Sequence, residues 1–226
     1  MTDSRFYVPT DSAEDWRRFL AEPDKQWVPG YSAHALASAW EGARGFPERV
    51  RAALDGSGIP GLAGLELVLG LPEHKTPLPG GTRASQTDLL VLARNDSGLV
   101  AIAVEGKAEE PFGPTVAEWR SGSPGKEARL AFLCDALGLD VEQSDGLRYQ
   151  LLHRTTAALL EAARLHAGSA LMLVHSFSPA QSWFDDYSAF AAAMGASVTP
   201  DSVSSVGERM GRQLHLGWVS DPAQEA

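Results

Sequence analysis

The chain is short of cysteine, of long apolar runs and of positive charge. One cysteine in 226 residues, Cys134, excludes an internal disulfide. Its place in the apolar stretch RLAFLCDAL marks it as a small core side chain. No apolar stretch approaches the roughly 20 residues that a membrane-spanning helix needs. The opening residues, MTDSRFYVPTDSAEDWRRF, are polar and acidic and hold no apolar leader segment, so a cytoplasmic protein with no membrane partner is expected. Lys and Arg number 19 against 29 Asp and Glu, a net charge of -10. The excess is mostly C-terminal: residues 131–226 carry 5 basic and 11 acidic side chains. No basic arm is visible, although nucleic-acid binders usually show an electrostatic footprint. A nucleic-acid ligand therefore calls for a local patch assembled by folding, for a protein partner, or for a homo-oligomer.

Several chemistries are missing as well. SGSPGKE resembles a phosphate loop, but Arg120 stands where that loop needs glycine and Glu127 where it needs Ser or Thr. Gly125 and Lys126 open a helix instead. The six histidines (His34, His74, His153, His166, His175 and His215) form no H-E-x-x-H and no close zinc spacing. His175, at the end of an apolar stretch, reads as a hydrogen-bonded strand-end side chain near Ser176 and Ser178. No G-x-S-x-G elbow and no G-x-G-x-x-G is present.

What remains is an ordinary globular composition, 44% hydrophobic and 21% charged, long enough for one domain with a real core. We expect an N-terminal extension over 1–31, a main domain over 32–219 and a tail over 220–226. The extension carries a short helix near Ser12–Leu20, with Ser12 and Asp15 at its start. Its aromatic residues, Phe6, Tyr7, Trp16, Phe19 and Trp27, suit a packing lid. YSAHALASAWEGA predicts a helix capped by Ser32 and stopped at Gly45, and FPERVRAALDG a second one ending at Gly56. GLELVLGL and HKTPL are short extended segments broken by Pro72. TDLLVLAR and LVAIAVEGK are apolar strands joined by the turn signal NDSG, hence a hairpin. A helix closed by Gly138, a longer one from about Asp145 to Gly168, the strand ALMLVHSFS, the helix WFDDYSAFAAAMGA and a last strand QLHLGWVS complete a mixed α/β domain.

The hairpin holds a concentration of charge. Asp88 starts its first strand, and Glu105 and Lys107 end its second. Side chains alternate along a strand, so Glu105 and Lys107 share a face. Antiparallel pairing brings Asp88 and Glu105 together, at about 5 Å for cross-strand neighbours. Two carboxylates that close repel unless a positive charge stands beside them. Lys107 is one source of that charge, and a divalent cation with oxygen ligands is another. The bland alternative pairs Lys107 with Glu105 or Glu109 as a surface ion pair of little worth, with Asp88 capping a turn.

Asp88, sixteen residues and then Glu105-Gly106-Lys107, each acid flanked by apolar strand, resembles the PD-(D/E)XK nuclease superfamily. More narrowly, the block LPGG…SQTDLLVL…VEGKAEEPFG…EW resembles an uncharacterised bacterial domain family near these nucleases. The resemblance spans most of residues 32–178. It implies an α/β single mixed-sheet domain with an αβββαβ restriction-endonuclease-like core and extra helices. It further implies Mg²⁺ (or Mn²⁺) held by Asp88 and Glu105, with Lys107 orienting the attacking water or stabilising the developing charge, and nucleic acid as substrate. A helix before the strands adds a glutamate, here Glu41, with Glu66 and Glu73 as rivals. The helix LRYQLLHR offers Arg148, Gln150 and Arg154, although its core face lets these polar residues simply meet water. A nuclease-like fold serving only as a binding or interaction module is the alternative.

Overall fold

The computed structural model describes residues 10–221. A 3-10 helix, Ala13–Phe19, and α1 (Pro23–Gln26) precede α2 (Ser32–Ala43) and α3 (Glu48–Gly56). Then come β1 (Glu66–Thr76), β2 (Ser85–Asn95) and β3 (Gly98–Lys107). Next are α4 (Val116–Trp119), α5 (Pro124–Leu137) and α6 (Tyr149–Arg164). β4 (Ser169–Ser176), α7 (Phe184–Ala193), β5 (Ser202–Arg209) and β6 (Arg212–Ser220) finish the domain. Among the described residues no helix is long and apolar enough to cross a membrane.

The six strands form one open mixed sheet in the order β1-β2-β3-β4-β6-β5. β1, β2 and β3 are successive antiparallel neighbours. β4 lies parallel to β3, and a parallel neighbour needs a long crossover, which α4, α5 and α6 supply. Strand alternation divides the apolar side chains between two cores. Val100, Ile102 and Val104 of β3 pack with Leu36 and Trp40 of α2 and with Val50 and Leu54 of α3. Ala101 and Ala103 pack on the other face with α5, α6 and α7. The sheet is thus buried on both sides, which explains the nearly continuous apolar runs of its central strands.

The structure corrects several expectations. Pro72 does not break β1, because β1 is an edge strand and the missing amide leaves no ladder bond unmade. α6 begins at Tyr149 rather than near Asp145, since the carbonyls of Asp145 and Leu147 accept from the first amides of α4. It ends at Arg164, short of Gly168. α2 is entered through Tyr31 and left through Arg44, which takes the left-handed conformation expected of Gly45. β5 went unpredicted because SVSSVGER has no apolar run, and it survives as a mostly half-buried edge strand. The supposed tail is structured at its start: Ser220 ends β6, and Asp221 pairs with both His175 and Arg49. In the extension, Ser12 donates from its amide and hydroxyl to the Asp15 carboxylate, and Trp16 is buried. Phe6 and Tyr7 lie outside the described residues.

Candidate active site

The β2–β3 ladder runs out at Leu89 opposite Val104. One step further, Asp88 and Glu105 leave the core on the α6 side of the sheet, the side taken by Ala101 and Ala103. The Gly106 amide closes this end by donating to Asp88 Oδ2 at 2.9 Å. Gly106 itself faces α2, where a side-chain carbon would lie 3.4 Å from Leu36 and from the Ser32 carbonyl. Glycine there lets the helix seat tightly behind the acids. β1 brings a third acid alongside: its register with β2 places Pro72 opposite Leu89 and His74 opposite Thr87, so Glu73 falls beside Asp88. Glu73 Oε2 accepts from Gln86 Nε2 at 2.7 Å.

α6 covers this row with Gln150, His153 and Arg154, whose three- and four-residue spacing puts them on one stripe. Gln150 donates to Glu105 Oε1 at 2.6 Å, and Lys107 Nζ meets the same oxygen at 3.0 Å. Arg154 Nε donates to Glu105 Oε2, and its Nη2 lies 3.8 Å from Asp88 Oδ1. Arg154 also reaches Ser85 Oγ at 3.2 Å, and that hydroxyl meets His153 Nδ1 at 2.9 Å. Lys107 Nζ sits 5.1 Å from the centre of the Phe112 ring. Glu105, Lys107 and Arg154 are 2%, 4% and 8% exposed, so this is a buried charge cluster and not a surface pair. Burial on that scale is tolerated only because each charge is paired and hydrogen-bonded.

The charges do not balance. Glu73, Asp88 and Glu105 face Lys107 and Arg154. Burial drives the Glu105 carboxyl upward, but the adjacent Arg154 and Lys107 outweigh it and hold the group at about 2. Asp88 has less help: burial and the neighbouring Glu105 charge push it up to about 7. Burial and Asp88 push Glu73 to about 8. His153 is driven down to about 3 by burial and by Arg154, so it is a neutral ring at physiological pH. The cluster forms the floor of a cavity of about 510 Å³. Glu73, Asp88, Glu105, Lys107, Gln150 and Arg154 line the floor, and Leu20 and Gln26 of the N-terminal segment form part of the wall.

Of the residues singled out from the sequence, Asp88, Glu105, Lys107, Gln150 and Arg154 are brought together. Glu41 is not: its carboxylate accepts from Trp16 Nε1 at 2.8 Å, tying α2 to the 3-10 helix. It is absent from the cavity lining. A glutamate in the last turn of α2 faces the extension, whereas the edge strand carries Glu73 into the acid row. Glu66 sits against Arg94 at the far end of β1. Arg148 turns to Asp186 and the Gly113 carbonyl. Ser85 and Gln86 escaped notice in the sequence and His153 was weighed there only as a zinc ligand, since nothing but their closeness to Asp88 and Arg154 marked them. His175 is the expected strand-end histidine, accepting from Trp40 Nε1 at 3.1 Å and bonded to Asp221 at 2.9 Å.

A hard divalent cation suits oxygen donors, and one or two carboxylates with water and phosphate suffice for Mg²⁺. Asp88 meets that requirement: one oxygen carries a backbone hydrogen bond, the other only the 3.8 Å approach of Arg154. Both Glu105 oxygens, by contrast, already accept from protein donors. Among the described residues no three His, Cys, Asp or Glu side chains converge as they do around a bound ion. The donor set therefore fits a cation through the Asp88 oxygen that accepts no hydrogen bond.

No curated protein and no solved structure matches the chain. One family model does, over residues 9–223, and the chain accordingly belongs to the family described as a domain of unknown function, DUF6946.

Proposed function

We propose that the chain is a divalent-cation-dependent phosphodiester hydrolase of the PD-(D/E)XK type, built on a restriction-endonuclease-like core and acting on nucleic acid. One observation carries this reading: Asp88, Glu105, Lys107 and Gln150 gather on one face of the sheet at the floor of an open cavity. Mg²⁺ or Mn²⁺ held through Asp88 would polarise a phosphoryl oxygen and activate water. Lys107 is the one cation among these four. Its ammonium is fixed at one end by Glu105 and faces the cavity, placed to hold a water or to meet negative charge developing on phosphate. Glu105 orients that ammonium, and Gln150 and Arg154 lock Glu105. The acidic balance of the chain favours a partner protein, a second copy or a short strand over a broad grip on duplex.

A second reading has its own observation. Arg154 stands between Asp88 and Glu105 as an internal cation, which suits a nuclease-like fold kept as a binding module. Cleavage of end-labelled single- and double-stranded DNA and RNA in Mg²⁺ or Mn²⁺ separates the two. Cleavage that needs the cation and falls at least a hundredfold in Lys107→Ala supports the hydrolase. Retention of nucleic acid on a filter with no cleavage under any cation supports the module.

A further inference from the structure

The resemblance pairs Asp88 with Glu105 around the cation. The side chains distribute the work differently. We propose that Glu73, on edge strand β1, is the carboxylate that shares the divalent cation with Asp88, while Glu105 is spent on holding Lys107, Gln150 and Arg154. This rests on the cation-dependent reading above and assigns the cation's second protein ligand within it.

The argument is one of placement and charge. Registers across β1, β2 and β3 set Glu73, Asp88 and Glu105 in a single row on the α6 face. Along that row both positive side chains make their shortest contacts with Glu105: Lys107 at 3.0 Å and Arg154 in direct contact. Arg154 reaches Asp88 only at 3.8 Å. At the other end Glu73 has no Lys or Arg within ion-pair distance among the described residues, and its one side-chain donor is the neutral Gln86. The gap between Glu73 and Asp88 is therefore where the row lacks a cation, and it opens on the cavity. Two carboxylates across that gap repel unless a positive charge joins them. Mg²⁺ and Mn²⁺ accept such a pair with water and a substrate phosphate completing the shell. Glu105 already serves three donors, two on Oε1 and one on Oε2, and an ion bound there would stand directly against the charges of Lys107 and Arg154. Gln86 gives Glu73 the support a ligand needs, fixing one oxygen and leaving the other for the ion.

The experiment is Mn²⁺ titration of the full chain by calorimetry, using Mn²⁺ alone as the probe. The set is wild type, Glu73→Gln, Asp88→Asn and Glu41→Gln, with far-UV circular dichroism for each. The expected result is saturable binding in wild type, weakened at least tenfold by Glu73→Gln and by Asp88→Asn and changed less than threefold by Glu41→Gln. Binding lost in Asp88→Asn but kept in Glu73→Gln overturns the Glu73 assignment and leaves the hydrolase reading standing. A wild type that binds no Mn²⁺, with or without a phosphodiester present, overturns both. Should Glu73→Gln fail to fold, Glu73→Asp takes its place. That variant keeps the charge and shortens the reach, with the same tenfold loss expected and the same overturning result.

Discussion

Replacing Asp88 by asparagine removes a charge that the folded chain accommodates poorly while keeping an acceptor for the Gly106 amide. Asp88 titrates near 7 when folded, raised by burial and by Glu105, against 3.8 in the unfolded chain. The folded state thus binds the proton more tightly, and stability falls as the pH climbs from about 4 to about 7. At roughly 1.4 kcal/mol per pH unit of difference, the full penalty above pH 7 is of order 4 kcal/mol. At pH 5 only about 1–2 kcal/mol of it has developed. Asp88→Asn therefore stabilises the cation-free protein by about 2–3 kcal/mol more at pH 8 than at pH 5. For a domain of this size that is an extra rise in Tm of roughly 5–10 °C. Thermal unfolding in EDTA, wild type against variant at the two pH values, reads it directly. A variant that loses equal stability at both pH values would refute the reasoning. It would mean that Asp88 is held ionised by Arg154 and is a structural ion-pair member.

Other outcomes follow from neighbouring contacts. Glu105→Gln leaves Lys107 and Arg154 buried with a neutral partner and should cost about 3–5 kcal/mol in urea unfolding at neutral pH. Since Glu105 titrates at about 2 in the fold against 4.5 unfolded, its stabilisation is present above pH 4.5 and is lost as the pH falls toward 2. The gap between wild type and Glu105→Gln should therefore close in acid. Trp16→Phe removes the indole donor to Glu41 and should lower stability by about 1 kcal/mol while leaving Mn²⁺ affinity unchanged, which separates Glu41 from the site. Gly80→Ala meets a backbone with φ of +78° and sets a side-chain carbon 2.2 Å from the Gly125 carbonyl. Its combined strain and overlap should exceed about 2 kcal/mol, visible as a lower urea midpoint.

The charge cluster was legible in the sequence wherever strand alternation alone positions a side chain. Glu105 and Lys107 are two apart on one apolar strand, and Asp88 sits across a short hairpin, so their common face follows from period two and a turn. Gln150 and Arg154 were visible as candidates only through the resemblance, which points to a polar group on the helix after β3. Glu41 and Glu73 could not be ranked in this way. Which of them enters the cavity depends on where α2 packs and on β1 continuing through Pro72, and both are settled by contacts distant in sequence. β5 was invisible for a related reason: an edge strand with little to bury needs no apolar pattern.

Local periodicity, turn chemistry and composition therefore determined the α/β class, the hairpin with its three charged residues, and the lack of any long apolar helix. The tertiary structure decided the rest. It chose the neighbours of β3, the acid of β1 that joins the row, and the arginine that stands between two carboxylates. It also decided which of those carboxylates remain short of positive charge. Those outcomes depend on distances between residues 15 to 69 positions apart, which chain pattern does not encode and packing on two faces of one sheet does.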